Sequence, residues 1–147
     1  MEEVEDTSHG GWTKVIVIVD SGAADHVGPP GFIPKVQIVE SEGSRTGRRY
    51  VAANGSKVPN LGEKAVKMMT DEYLQVKVTW QMADVKKPLL SVHKLIAGGQ
   101  VVILDKRCPR IISPGGWVTK LRSRNGLFEL DLWVKDEDEK KVGFHRQ

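Results

Sequence analysis

The run Val15-Ile16-Val17-Ile18-Val19 constrains this chain more than any other feature. Every residue in it is β-branched, which stiffens the side chains and favours extended backbone. Five residues are too few for a stable helix, and Gly11 and Gly22 punctuate the run on either side. An apolar run without polar alternation suits a strand buried on both faces. It is also the longest apolar run, so no segment is expected to span a bilayer as a helix and no membrane partner is expected. The 147 residues are 39% hydrophobic. That is enough for one domain with its own core and too apolar for a wholly disordered chain.

Shorter strand signals follow. Val36 and Ile38, up to Glu40, form a second short strand after the break Gly28-Pro29-Pro30-Gly31, and residues 41–49, rich in Gly, Ser and Arg, read as a loop. Tyr50-Val51-Ala52-Ala53 and Lys57-Val58 flank Asn54-Gly55, a hairpin signal because both turn residues tolerate positive φ. Leu74, Val76, Val78 and Trp80 alternate with polar residues, the pattern of a half-buried strand. Pro88 opens and Gly98-Gly99 closes a stretch with Leu89, Val92, Leu95 and Ile96 at near-helical spacing, which predicts one short helix. A strand over Val101 to Leu104 and a hairpin from Trp117 to Val134, turning at Asn125-Gly126, complete an all-β class with one helix. Three of the four tryptophans, Trp80, Trp117 and Trp133, are assigned to core or interface.

Residues 1–11 read as a polar lead-in and residues 135–147 as a charged tail or linker. The acidic start lacks the pattern of a secretory signal. The single cysteine, Cys108, excludes an internal disulfide and fits a reducing, cytoplasmic setting. It is read as a small buried apolar group, since no histidine is placed to activate it. His9, His26, His93 and His145 lie far apart, so no metal site and no cofactor is expected. A net charge of +3 is too mild to argue for nucleic acid. The basic residues between 105 and 125 read first as a solvated face, with RNA binding only weakly supported because Trp117 alone supplies an aromatic group there.

The chemistry sits where the apolar run ends, in Asp20-Ser21-Gly22-Ala23. A carboxylate at the end of a buried strand is costly to desolvate and needs hydrogen-bond partners, and such surroundings make it a candidate for acid–base work. An Asp-Ser/Thr-Gly tripeptide arises by chance in about one chain in twenty of this size. Its place directly behind a hydrophobic strand makes it far more specific.

Val-Ile-Val-Asp20-Ser21-Gly22-Ala23 resembles the active-site loop of retropepsin-like aspartic proteases, and Asp20-Ser21-Gly22-Ala23-Ala24-Asp25-His26 is similar to the Asp-Ser-Gly-Ala-x-x-His pattern of Copia-type retrotransposon polyproteins. In the same order, Val51-Ala52-Ala53-Asn54-Gly55-Ser56 resembles their flap, and Pro88-Leu89-Leu90-Ser91-Val92-His93-Lys94-Leu95 resembles their Leu-Leu-Ser-Val helix. Val101 to Leu104, Cys108 and Arg124-Asn125-Gly126-Leu127 resemble the stretch leading from protease toward integrase. Two departures stand out. Ala24 occupies the position where many retropepsins carry an acidic substrate clamp, and Ser91-Val92 replaces the Gly-Arg of the retroviral kind, itself a Copia-like feature.

The resemblance implies a closed, barrel-like retropepsin domain over residues 12–105 and a β-hairpin extension over 106–134. It implies an aspartic endopeptidase with Asp20, Ser21 and Gly22 catalytic. Ala23, Asp25, Ala52, Ala53, Asn54 and Gly55 would contact the peptide, and residues 50–58 would form the flap. Locally, Asp25 and His26 also read as a turn-and-cap pair. The substrate would be the element's own polyprotein, in a retrotransposon particle. One Asp-Ser-Gly per chain makes a homodimer the required partner, since the chemistry needs two carboxylates. The competing reading is a catalytically inactive domain of the same fold that dimerises or binds RNA or partner chains.

Overall fold

The computed structural model describes residues 8–52 and 54–136. Ala53, the first seven residues of the lead-in and residues 137–147 of the tail lie outside the described residues. The β-branched run falls in strand β2 (Trp12–Asp20), which follows the two-residue β1 (Ser8–His9). Val17, Ile18 and Val19 are buried in succession, so consecutive side chains on opposite faces are both covered. The reason lies in the neighbours of β2. On one side it pairs in parallel with β8 (Leu89–Ser91); on the other it pairs antiparallel with β13 (Leu127–Lys135), from Val19 opposite Phe128 to Trp12 opposite Lys135.

The remaining strands of this sheet are β3 (Val27–Gly28), β6 (Glu63–Thr70), β7 (Gln75–Met82) and β12 (Arg122–Arg124). Hydrogen-bonded neighbours run β2, β8, β3, β7, β6 and β13, and β13 returns to β2. A three-stranded sheet is made by β9 (Val101–Ile103), β10 (Arg110–Ile112) and β11 (Val118–Lys120), with Ile111 of its middle strand buried. A hairpin of β4 (Arg49–Val51) and β5 (Lys57–Pro59) pairs, among the described residues, only with itself. Trp80, wholly buried, centres the core, with Phe32 edge-on at 4.9 Å between ring centroids and Val17, Met68, Met82 and Leu132 around it. Burial of these side chains supplies the main favourable term for folding.

The all-β class stands, with several local corrections. Two short helices form where spacing predicts one. The first, α1 (Glu42–Arg45), lies in the Gly/Ser/Arg-rich stretch read as a loop, and Ser41 and Ser44 close a reciprocal capping box around its start. In the second, α2 (Val92–Ala97), the helix begins later than its proline suggests, because residues 89–91 pair as β8. Residues 36–40 form no strand; Val39 makes an isolated bridge to Glu63. The turn at Asn125-Gly126 is as read, with positive φ at both residues. Its second strand is no appendage, since β13 lies within the main sheet against β2 and β6. Cys108 is exposed, not buried, and Trp117 is 67% exposed, so of the three tryptophans only Trp80 sits fully in the core. Among the described residues no helix is long and apolar enough to cross a membrane.

Candidate functional site

Parallel pairing sets Asp20 opposite Ser91, at the point where β2 and β8 both end. Past that point the chain turns back: the Ala23 N–H reaches the Asp20 carbonyl at 3.5 Å, and the Gly22 N–H donates to Asp20 Oδ1 at 2.8 Å. The Asp20 side chain is therefore oriented by its own turn, half-buried, with Ser21 and Gly22 exposed beside it. Gly22 needs no special backbone angle. A Cβ there would meet Asp20 Oδ1 at 3.4 Å, ordinary contact.

Ser91 secures this turn from below. Fully buried, it donates its hydroxyl to the Ala23 carbonyl at 2.7 Å and caps α2 by accepting the Lys94 N–H at 3.1 Å. Its own N–H donates to His26 Nδ1 at 2.9 Å. That acceptor exists only on the neutral imidazole. Burial, then the Lys94 charge, pull the His26 pKa down to about 4 against the opposing pull of Asp25. His26 is thus a neutral strut, tilted against the Trp80 ring at 5.9 Å.

Asp25 faces inward, not toward an open cleft. It is 4% exposed, and Oδ2 accepts the Tyr50 hydroxyl at 2.7 Å with Arg48 Nη1 at 3.5 Å, while Lys94 Nζ stands 3.5 Å from Oδ1. Neither a turn nor a cap describes this residue. Tyr50 belongs to β4, so the bond joins the hairpin base to the loop that carries Asp20. Asn60 holds the other side of the base. Its Nδ2 donates to the Tyr50 oxygen at 3.1 Å and to Gln81 Oε1 at 2.9 Å, and its Oδ1 accepts from Ser41 Oγ and the Gly62 N–H. Gln81 in turn donates to Glu63 at 3.0 Å. Burial first, then the bond to Asp25 and its charge, push the Tyr50 pKa up to about 12.

At the tip, the Ala52 carbonyl accepts the Gly55 N–H at 2.9 Å and Asn54 Oδ1 accepts both the Ser56 N–H and hydroxyl. Gly55 has positive φ, and five residues lie between Val51 of β4 and Lys57 of β5, so the loop is longer than a two-residue turn. Asn54 and Gly55 are exposed, Ala23 and Ala52 half-buried, and the expected contact at Ala53 lies outside the described residues.

Spacing alone misses Ser91, Tyr50, Asn60, Arg48 and Lys94. A serine opening an apolar run, as Ser91 does, is a legible helix cap. The partners of Tyr50 and Asn60 are non-local and leave no such sign. In the basic stretch, Arg110 lies 3.9 Å from Asp105, Arg122 binds Asp131 and Glu129, and Arg124 lies 3.3 Å from Glu129. Among the described residues, no three His, Cys, Asp or Glu side chains are grouped to hold a metal ion. No protein-family model, no curated protein and no solved structure matches the chain.

Proposed function

We propose that the chain is an aspartic endopeptidase of the retropepsin kind, active as a homodimer on the polyprotein of a Copia-like retrotransposon. The observation that carries this reading is the Asp20 carboxylate itself. It stands at the end of a buried strand, aimed by the Gly22 N–H, on a loop bound beneath by Ser91 and joined to a hairpin through Tyr50. The succession of pairings from β2 back to β2 fits the closed barrel of that fold.

The sequence carries one Asp-Ser-Gly, so the second carboxylate comes from a second copy across a two-fold axis. Two carboxylates about 3 Å apart cannot both ionise, so one holds a proton and the other accepts. The ionised member takes a proton from water as the water attacks the peptide carbonyl. The protonated member polarises that carbonyl and later supports departure of the amine. Ser21 lies exposed beside Asp20, where a hydroxyl could bridge the axis, and Gly22 leaves room for substrate backbone. The β4–β5 hairpin would close over an extended peptide and exclude water.

The test pairs mass in solution with hydrolysis of an apolar-centred peptide library at mildly acidic pH. A dimer that cleaves and is blocked by a transition-state mimic for aspartic peptidases is expected. Asp20→Asn should reduce turnover at least about a thousandfold with dimer mass unchanged. Cleavage that survives this substitution, or a monomer that cleaves, defeats the proposal. A dimer that neither cleaves nor binds the mimic leaves the non-catalytic dimerisation or partner-binding module in its place.

A further inference from the structure

We infer that Asp25 and Tyr50 form a tether that sets the height of the β4–β5 hairpin over the Asp20 loop, which makes Asp25 a positioning residue in place of a substrate contact. The inference rests on the peptidase reading for its consequence but not for its geometry.

The hairpin has no ladder partner among the described strands other than itself, so its placement depends on what holds its base. Besides the Arg48 N–H on the Gly43 carbonyl at 2.8 Å, two lines of side-chain bonds reach that base among the described residues. One is Asn60, whose N–H donates to the Arg48 carbonyl at 2.8 Å and whose side chain bonds Gln81 of β7 and Ser41 at the start of α1. This line fixes the hairpin to the sheet. The other is the Tyr50 hydroxyl on Asp25, which runs from the hairpin to the loop carrying Asp20, with the Arg48 guanidinium 3.5 Å from the same carboxylate oxygen.

The chemistry of the second line suits a tether. A phenol donating to an ionised carboxylate makes a charge-assisted bond, short at 2.7 Å and stronger than a neutral one. Tyr50 is oriented for it, because Asn60 donates to the same oxygen and leaves the phenolic proton free for Asp25. Arg48 and Lys94, both 3.5 Å away, set two positive charges beside the buried carboxylate. Asp25 thus has its oxygens occupied from two sides: by Arg48 and Tyr50 at the start of β4, and by Lys94 of α2. With Lys94 and Ser91 binding the same helix to the loop, a movement of the hairpin is transmitted through Asp25 to the turn at Asp20.

The test reads hairpin opening and peptide cleavage separately on the full chain. Amide hydrogen exchange over residues 49–59 should accelerate about tenfold to a hundredfold in Tyr50→Phe and Asp25→Ala, the loss expected for one charge-assisted bond. Asp25→Asn, whose side-chain carbonyl still accepts the phenol, should recover part of the protection. On a cleaved peptide, KM should rise in the same order while kcat stays within about twofold. Exchange that is unchanged in Tyr50→Phe overturns the tether, as does a freed hairpin with unchanged KM. Should the wild-type chain not cleave while exchange responds as stated, the peptidase reading fails alone and the tether stands. Cleavage without any response in exchange removes the tether and leaves the peptidase.

Discussion

The Nδ1 atom of His26 accepts the backbone N–H of Ser91 at 2.9 Å, so a titratable ring carries part of the load between the Asp20 loop and α2. Protonation would turn that acceptor into a donor facing a donor.

Acid stability follows from this contact. The folded pKa, about 4, lies below the ordinary histidine value of 6.5, so between these values the unfolded chain binds more protons. His26 therefore contributes stability that is complete above about pH 6.5 and is lost as pH falls toward 4. In urea melts at stepped pH, the midpoint should decline across that window. His26→Asn, which keeps an acceptor but no ionisable ring, should flatten that part of the decline. An equal decline in both proteins would show that other groups set it.

Gly22 separates the needs of the fold from those of the reaction. A Cβ there meets Asp20 Oδ1 at an ordinary 3.4 Å, so Gly22→Ala should fold with a stability change within about 0.5–1 kcal/mol. The proposed peptide hydrolysis should nonetheless drop by about tenfold or more, because the added methyl would stand where that proposal passes substrate backbone. Chemical denaturation and steady-state kinetics on the same preparation check both halves.

Gly43 answers to a different constraint. A Cβ at this position would lie 2.5 Å from Asn60 Nδ2, and that amide is held by bonds to Tyr50 and Gln81. It cannot swing away without breaking them. Gly43→Ala should cost about 1–3 kcal/mol, read as a lower urea midpoint.

Lys64 is 3% exposed, and its ammonium donates to the carbonyls of Phe32 and Ile33 at 2.7 and 2.9 Å. Burial pulls its pKa below the usual lysine range. The contact fixes the backbone that lays Phe32 against Trp80. Lys64→Met keeps the volume and relieves the desolvated charge, yet it strips the Phe32 carbonyl of its partner. Unpaired polar groups dominate such balances, so a loss of about 1–3 kcal/mol is expected from equilibrium unfolding.

Lys64 also shows where sequence patterns stop being informative. The inward face of β6 reads Lys64, Val66, Met68 and Thr70, polar at both ends, so alternation does not announce a strand. Its ladder with β7 makes it one, and a pair of carbonyls more than thirty positions earlier lets Lys64 sit on the buried face. The run at Val15–Val19, the alternation at 75–82 and the Asn125-Gly126 turn were legible because each is decided by adjacent residues. In the candidate site the Asp20 turn was legible for the same reason. Asp25 was not: its role is set by Arg48 and Tyr50 from one distant segment and Lys94 from another.

Because β13 flanks β2 along nearly its whole length, the first long strand to leave a ribosome must wait for the last before its edge is satisfied. Until then β2 has β8 on one side and an open edge on the other, and closure between distant segments is slow. The sheet that presents Asp20 can therefore be completed only after translation has passed Lys135.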